Sequence, residues 1–200
     1  MNPADSLDLG RLRQLDFRHR TSVRDPMTQY DIVDRDGETV GVVRLEGEPG
    51  VDEVGRLFTD LGTERVRLVV HAPDDTVLFA LQRAGRRFAP ELIVLDGSGA
   101  ELGRIAQRNI VGKIRLTVHV GDETVAQVEA DSWHEEAFTI QDADGEELAV
   151  IVRGRDDVPT TTGVVDRYRL QITRDPGPDV APLVVASAIA VDAAVHRESL

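Results

Sequence analysis

The chain has 200 residues, of which 41% are hydrophobic, so it can bury a core, and its length favours one domain spanning residues 1–200. Its 36 acidic and 23 basic residues give a net charge of −13, which argues against non-specific nucleic-acid binding and against adsorption to anionic membranes. It has no cysteine, which excludes disulfides, zinc–thiolate sites and a catalytic thiol.

The chain starts with MNPADSLDLGRLRQLDFRHR. Acids and arginines stand where a signal peptide would need an unbroken apolar stretch, so we expect a cytoplasmic protein. Residues 1–10 are expected to be flexible.

From residue 30 onward, one pattern repeats: a run of strand formers, an Asp, two short residues, a Gly, and a second strand-forming run. It occurs as YDIVDRDGETVGVVRL (30–45), LIVLDGSGAELGRIAQ (92–107) and FTIQDADGEELAVIVR (138–153). Residues 66–81 and 114–130 share the rhythm with looser turns. The Asp-x-x-Gly spacing suits a turn closed by a left-handed glycine, so the pattern predicts antiparallel hairpins.

One early segment, residues 49–62, breaks the strand pattern. Its apolar residues recur at helical spacing and predict a short helix, although Gly55 weakens the helix propensity. These apolar residues are Val51, Val54, Leu57, Phe58 and Leu61.

The tightest basic cluster is Arg83, Arg86 and Arg87 in LQRAGRRF. Arginine binds phosphate through two parallel hydrogen bonds, so these residues are the preferred contact for a phospholipid headgroup. The alternative is a solvated loop whose arginines balance neighbouring acids.

The glycines of ELIVLDGSGAELGRI, residues 91–105, resemble a phosphate-binding turn. A dinucleotide-binding motif requires GxGxxG followed by a helix, whereas this segment has GxGxxxG followed by a strand pattern. The segment is therefore interpreted as a hairpin.

Other polar groups are interpreted as parts of turns. The Asp pairs in DRDGE and QDADGEE lack the remaining ligands of a calcium-binding EF-hand loop. His134 lies beside two glutamates, but no second histidine is near it in sequence, so an exposed turn is favoured over a metal or acid–base site. Ser98 lacks the flanking residues of a nucleophile elbow.

The last segment, residues 180–196, predicts a helix that is apolar on all sides. Its uncharged run spans 180–191, about 18 Å of helix against about 30 Å of membrane hydrocarbon, and Asp192 follows at once. Many alanines keep this helix thin. A position inside a closed barrel is therefore favoured over a membrane span.

These features together resemble the phospholipid scramblase and LURP-one-related family, which shares a fold with the tubby C-terminal domain. The resemblance covers roughly residue 30 to the C-terminus. It is carried by YDIVDRDGETVGVV, LIVLDGSGAELGRIAQ, FTIQDADGEELAVIV and DRYRLQITRDPGPDVAPLVVASAIAVDAAVH. It implies an all-β fold, a twelve-stranded closed antiparallel barrel around a buried hydrophobic C-terminal helix.

The resemblance also implies functions. Scramblases move phospholipids in response to calcium, and tubby relatives bind phosphoinositide headgroups. In the family's calcium segment, Asp166 and Tyr168 match, Val164 replaces the first acid, and Asp175 is the next acid along the chain. Asp166 and Asp175 are thus calcium candidates, but calcium takes about six to eight oxygens, so calcium-triggered scrambling is not expected. No other cofactor is implied.

Two functions remain open. The first is a scramblase-related, non-enzymatic protein that binds phospholipid peripherally at the cytoplasmic membrane face, without a transmembrane span. The alternative is a protein–protein interaction or structural module with no lipid activity. A helix-filled barrel offers no ready catalytic cavity, so an enzyme ranks behind both.

Overall fold

The computed structural model describes residues 13–19, 28–46, 67–84, 91–108, 114–132, 135–160 and 163–198. Within these ranges, twelve antiparallel strands form one closed barrel and a helix occupies its interior. The strands are β1 (Gln14–His19), β2 (Thr28–Asp34), β3 (Thr39–Glu46), β4 (Arg67–His71), β5 (Val77–Arg83), β6 (Glu91–Asp96), β7 (Glu101–Gln107), β8 (Ile114–Val120), β9 (Glu123–Ala130), β10 (Ala137–Asp142), β11 (Glu147–Thr160) and β12 (Gly163–Ile172), and the helix is α1 (Ala181–Glu198).

Each strand pairs with the next along the chain, and β1 closes the barrel by pairing with both β2 and β12. Side chains alternate between the lumen and the outer wall, as the period of a strand requires. On β1, for example, Leu15 and Phe17 are buried in the core, whereas Asp16 between them faces outward. The predicted all-β barrel around a C-terminal helix is confirmed.

The Asp-x-x-Gly segments form the predicted hairpin turns. In each turn the Asp Oδ1 accepts hydrogen bonds of 2.8 to 3.0 Å from the amides two and four residues later. The glycine adopts the left-handed conformation that other residues avoid. The pairs are Asp34 with Gly37 (φ 88°), Asp96 with Gly99 (φ 87°), and Asp142 with Gly145 (φ 83°).

Gly103 is the last glycine of the segment that resembles a phosphate-binding turn, and close packing requires a glycine at this position. An added Cβ would lie 2.3 Å from the His119 carbonyl oxygen and 3.0 Å from Leu183 Cδ1. The glycine therefore lets β7 approach both its neighbouring strand and the central helix. Strands β6 and β7 on either side of the turn pair in antiparallel fashion, so the interpretation as a hairpin is confirmed.

The helix α1 fills the lumen. From Leu183 to Val195 every residue is buried, which matches the apolar, alanine-rich sequence. Pro182 lies in the first turn of α1, where backbone amides have no hydrogen-bond partner within the helix, so its missing N–H costs nothing. In the described part of the chain, no helix is both long and apolar enough to cross a membrane.

The alternation of strand direction gives the barrel two distinct ends. The end that holds the connections after even-numbered strands is called the turn end, and the helix enters the barrel there. The opposite end, with the connections after odd-numbered strands, is called the loop end. The predicted flexible segment 1–10, the predicted helix 49–62, and His134 all lie outside the described residues.

Candidate functional site

Charge is distributed very unevenly between the two ends of the barrel. The turn-end segments contain 15 acids and only 2 arginines, out of 36 acids and 23 bases in the whole chain. The remaining residues therefore hold equal numbers of acids and bases, and the entire net charge of −13 resides at the turn end. These segments are residues 34–38, 72–76, 96–101, 120–123, 142–147 and 173–180.

Hydrogen bonds keep turn-end acids ionised. The Ser98 hydroxyl is the main cause that lowers the pKa of Asp96. Burial raises the pKa of Asp142, but hydrogen bonds from the Glu146 amide and the Arg174 guanidinium outweigh it, and the pKa falls below its usual value. Asp96 and Asp142 therefore stay ionised to a lower pH than carboxyl groups of ordinary pKa.

The structure places Arg83, the described member of the predicted headgroup contact, at the loop end. Arg83 is the last residue of β5 and lies directly opposite Leu92, a fully buried core residue of β6. Opposite residues of an antiparallel pair share one face, so Arg83 occupies an inward register position at the mouth of the barrel, where it is half-buried. Arg86 and Arg87 lie in the same β5–β6 connection, outside the described residues.

A second arginine faces inward on the opposite wall, in the middle of the long strand β11. Arg153 of β11 lies opposite Tyr168 of β12, which is buried in the core, so Arg153 also faces inward and is half-buried. Strands β5 and β11 are separated by six steps around the barrel of twelve, which places them on opposite walls. Two inward-facing arginines thus lie on opposite walls of the barrel.

Polar side chains also lie in the lumen at this end. The Tyr30 hydroxyl donates a hydrogen bond to Asp192 of α1, and both residues are buried. Gln107 of β7 is likewise buried. A buried carboxylate is costly without a donor, so the Tyr30 contact fixes the rotation and depth of α1 in the barrel.

The two calcium candidates are not brought together. Asp166 lies in β12 towards the loop end, whereas Asp175 follows β12 at the turn end, and the strand from Asp166 to Ile172 alone spans roughly 20 Å. Calcium ligands lie about 2.3–2.6 Å from the ion, so these two acids cannot share one. Asp175 Oδ1 accepts a 2.9 Å hydrogen bond from the Gly177 amide instead. Among the described residues, no group of three or more acids or histidines could hold a metal ion.

The outer wall carries an open cleft of about 290 Å³ on strands β8 to β10. Its lining contains acids, one arginine and neutral polar groups. The residues are Arg115, Glu129, Ala130, Asp131, Glu135, Ala137, Thr139 and Gln141. Arg115 Nε lies 3.4 Å from Glu129 Oε1, so the cation of the cleft is already paired.

The sequence pattern identifies Arg83 but not Arg153, Tyr30 or Asp192. Every second residue of β11 faces the same side, so Arg153 faces inward together with Ala149 and Ile151. The sequence alone does not show which side of β11 is buried. Tyr30 and Asp192 are 162 residues apart, so no local sequence pattern predicts their contact.

Comparison with known proteins gives a fold and nothing further. A scan against described protein families and a search among characterised proteins find no match. A crystal structure of an Arabidopsis thaliana protein is similar to this chain, with 15% identity, a TM-score of 0.53, and 94% of this chain and 97% of that chain covered. The two chains share a fold. At this identity the likeness carries no information on activity or ligands.

Proposed function

We propose that this chain is a scramblase-related, non-enzymatic protein that binds anionic phospholipid headgroups peripherally through its loop end, at the cytoplasmic face of a membrane. The observation that supports this most strongly is the confinement of the net negative charge to the turn end. A protein of net charge −13 is expected to avoid anionic lipid only if its charge is spread evenly over the surface.

Because dissolved salt screens charge, the repulsion between the turn-end acids and an anionic membrane depends on the distance between the two ends of the barrel. The 18 residues of α1 span about 27 Å along the barrel, whereas charges are screened over about 8 Å at physiological ionic strength. If the loop end contacts a membrane, the turn-end acids lie several screening lengths away and contribute little repulsion. The arginines at the loop end each gain about 1 kcal/mol near an anionic surface.

Arg83 is the described member of the headgroup contact, and Arg86 and Arg87 follow it in the same connection. The guanidinium of Arg83 can form two parallel hydrogen bonds to a phosphate, which a lysine cannot. Its half-buried position holds the stem of the side chain and limits the conformational entropy lost on binding. The lumen is filled by α1, which favours surface binding over catalysis in an internal cavity.

Vesicle flotation tests the proposal. The protein is mixed with liposomes of neutral, phosphatidylserine-containing or phosphoinositide-containing composition, with and without calcium. We expect flotation with the anionic vesicles, weakened at least tenfold when Arg83, Arg86 and Arg87 are changed to Ala. Calcium is expected to have no effect.

A control variant separates a specific contact from net charge. Changing Arg35, Arg44 and Arg174 to Ala removes the same number of charges from side chains that lie at the turn end or, for Arg44, pair with Asp75 there. This variant should float like the natural protein. Equal loss in both variants would show that flotation follows net charge alone, and no flotation with any vesicle would refute the proposal.

The alternative is an interaction module that binds protein rather than lipid. The cleft on strands β8 to β10 favours it, because acids and neutral polar groups there could accept a basic side chain. Substitution of Glu135 and Asp131 by Ala would then abolish binding to a partner and leave vesicle flotation unchanged.

A further inference from the structure

We propose that the protein binds an extended, basic peptide segment, which adds as a strand to the open edge of β11 beyond the loop end of the barrel. Strand β11 has 14 residues, whereas its neighbour β10 has 6. Pairing between the two ends with a 2.7 Å hydrogen bond from the Arg153 amide to the Glu136 carbonyl oxygen. Within the part of the chain that the structure describes, residues 154–160 of β11 therefore have no strand on that side.

These residues form a two-stranded arm with the beginning of β12. The register of β11 with β12 continues as far as Thr160 opposite Gly163. Among the described residues, the pairing of β12 with β1 reaches only Arg167, so the arm stands beyond the wall on both sides. At the rise of a strand, residues 154–160 extend about 20 Å. A two-stranded ribbon is marginally stable in water, so a third strand would stabilise the arm.

The direction of the backbone groups along the edge follows from the alternation of an antiparallel strand. The Arg153 amide points towards β10, so the amide and carbonyl of Arg155, two residues further in the same register, point to that side as well. Gly154 and Asp156 point the other way, towards β12. Arg155 thus offers one donor and one acceptor to an added strand, which would continue the ladder that β10 begins.

The beginning of this edge is accessible. Gly154 is exposed and has no side chain, and an added Cβ there would contact only the Arg167 carbonyl oxygen, at 3.8 Å. No described residue therefore crowds the point where β10 ends and an added strand would start.

The surface beside the edge is acidic. The cleft on strands β8 to β10 reaches the edge, because Glu135 lines the cleft and Glu136 forms the last hydrogen bond to β11. Glu129 and Asp131 also line this cleft, and its one arginine, Arg115, is paired with Glu129. A basic side chain of an added strand would therefore have complementary charge beside it.

The sequence of the edge selects against a second copy of this chain as the partner. Asp156 and Asp157 follow Arg155, so the edge has a net negative charge, and two copies paired through it would bring together two molecules of net charge −13. Pro159 has no amide hydrogen and limits pairing to the residues before it. The edge thus favours a short basic strand, whose main-chain hydrogen bonds would supply affinity and whose side chains would supply specificity.

Fluorescence anisotropy with a labelled synthetic peptide, in which lysine and valine alternate, tests the site. We expect this peptide to bind the natural protein. The same peptide with alternate amides N-methylated keeps its charge but loses hydrogen bonds, so it should bind about tenfold more weakly. A peptide with glutamate in place of lysine should not bind. Equal affinity for the N-methylated peptide, or no binding of the lysine peptide, would overturn the site.

Two substitutions of Arg155 separate the backbone from the side chain. Arg155→Pro removes the edge amide hydrogen and leaves Gly154 and Asp156 to pair with β12. It also removes a positive charge, which alone would strengthen the binding of a basic peptide, so binding about tenfold weaker reports the lost hydrogen bond. Arg155→Ala keeps the amide and should bind the lysine peptide more tightly than the natural protein does. The same change in affinity for both variants would contradict strand addition.

A pair of charge reversals tests the location of the site, and it does so even if Arg155→Pro fails to fold. Glu135→Lys, in the cleft, should weaken binding of the lysine peptide. Glu38→Lys makes the same change in charge at the turn end and should leave binding unaltered. Equal weakening by both variants would show that the peptide responds to net charge alone and would overturn the site.

This inference extends the alternative function, protein binding, and does not rest on lipid binding. The two proposals fail in different ways. Binding of the lysine peptide without flotation on any vesicle would support the site and refute the lipid proposal. Flotation on anionic vesicles without binding of the lysine peptide would refute the site and leave the lipid proposal standing.

Discussion

Asp96 illustrates how a single side chain fixes a hairpin. Its Oδ1 accepts hydrogen bonds from the Ser98 amide and hydroxyl and from the Ala100 amide. We expect Asp96→Ala to lower the urea midpoint of unfolding, and Asp96→Asn, which keeps an acceptor, to lower it less. An identical effect of the two variants would contradict this role.

The lowered pKa of Asp96 predicts how the contribution of Asp96 to the stability of the fold changes with pH. Its pKa is lowered in the folded protein, so Asp96 contributes stability above its unfolded value of about 3.9. That contribution is lost as pH falls through the folded pKa. The difference in urea midpoint between the natural protein and Asp96→Ala should therefore be constant near pH 7 and shrink below about pH 4. A difference that grows on acidification would contradict the assignment.

Tyr30 and Asp192 form the polar contact between wall and helix. Tyr30→Phe removes the hydrogen bond and leaves a buried carboxylate with one donor fewer, so we expect a loss of about 1–3 kcal/mol in the free energy of unfolding. Replacing Asp192 by Leu in the Tyr30→Phe background should recover much of that loss, since neither partner then requires a hydrogen bond. Additive losses from the two changes would show that the residues act independently.

At the scale of elements, the helix and β7 meet through a glycine. Gly103→Ala places a Cβ against the backbone carbonyl of His119, and we expect it to cost about 1–3 kcal/mol. Gly154→Ala is the matched control, because its Cβ would make only an ordinary contact, 3.8 Å from the Arg167 carbonyl oxygen, and it should be neutral or slightly stabilising. Chemical denaturation of both variants checks the prediction, and equal effects would contradict close packing at Gly103.

Most elements could be predicted because their signals are local. The hairpins follow from an Asp that binds the amides of its own turn, and α1 follows from an unbroken apolar run followed by Asp192. Strand β1 could not be predicted in this way, since no turn motif marks it and its partners are β2 and the distant β12. The same long-range register decides that Arg83 faces inward and that Arg18 meets Arg167.

At the scale of the whole molecule, the charge distribution changes the expectation drawn from composition. A net charge of −13 predicts avoidance of anionic membranes when the charge is treated as uniform. The antiparallel order collects the acidic turns after even-numbered strands at one end, and the charges of the remaining residues cancel. The sequence contains all of these acids, but their common location follows only from the closed order of the strands.

We propose that the loop end faces the membrane, and the absence of native cysteines allows this orientation to be tested directly. Single cysteines are introduced at Ala84, at the end of β5, and at Ser98, in the β6–β7 turn, and each is labelled with a fluorophore. On anionic vesicles that contain a headgroup-linked quencher, we predict strong quenching of the label at Ala84 and little at Ser98. Stronger quenching at Ser98, or none at either position, would contradict the claim.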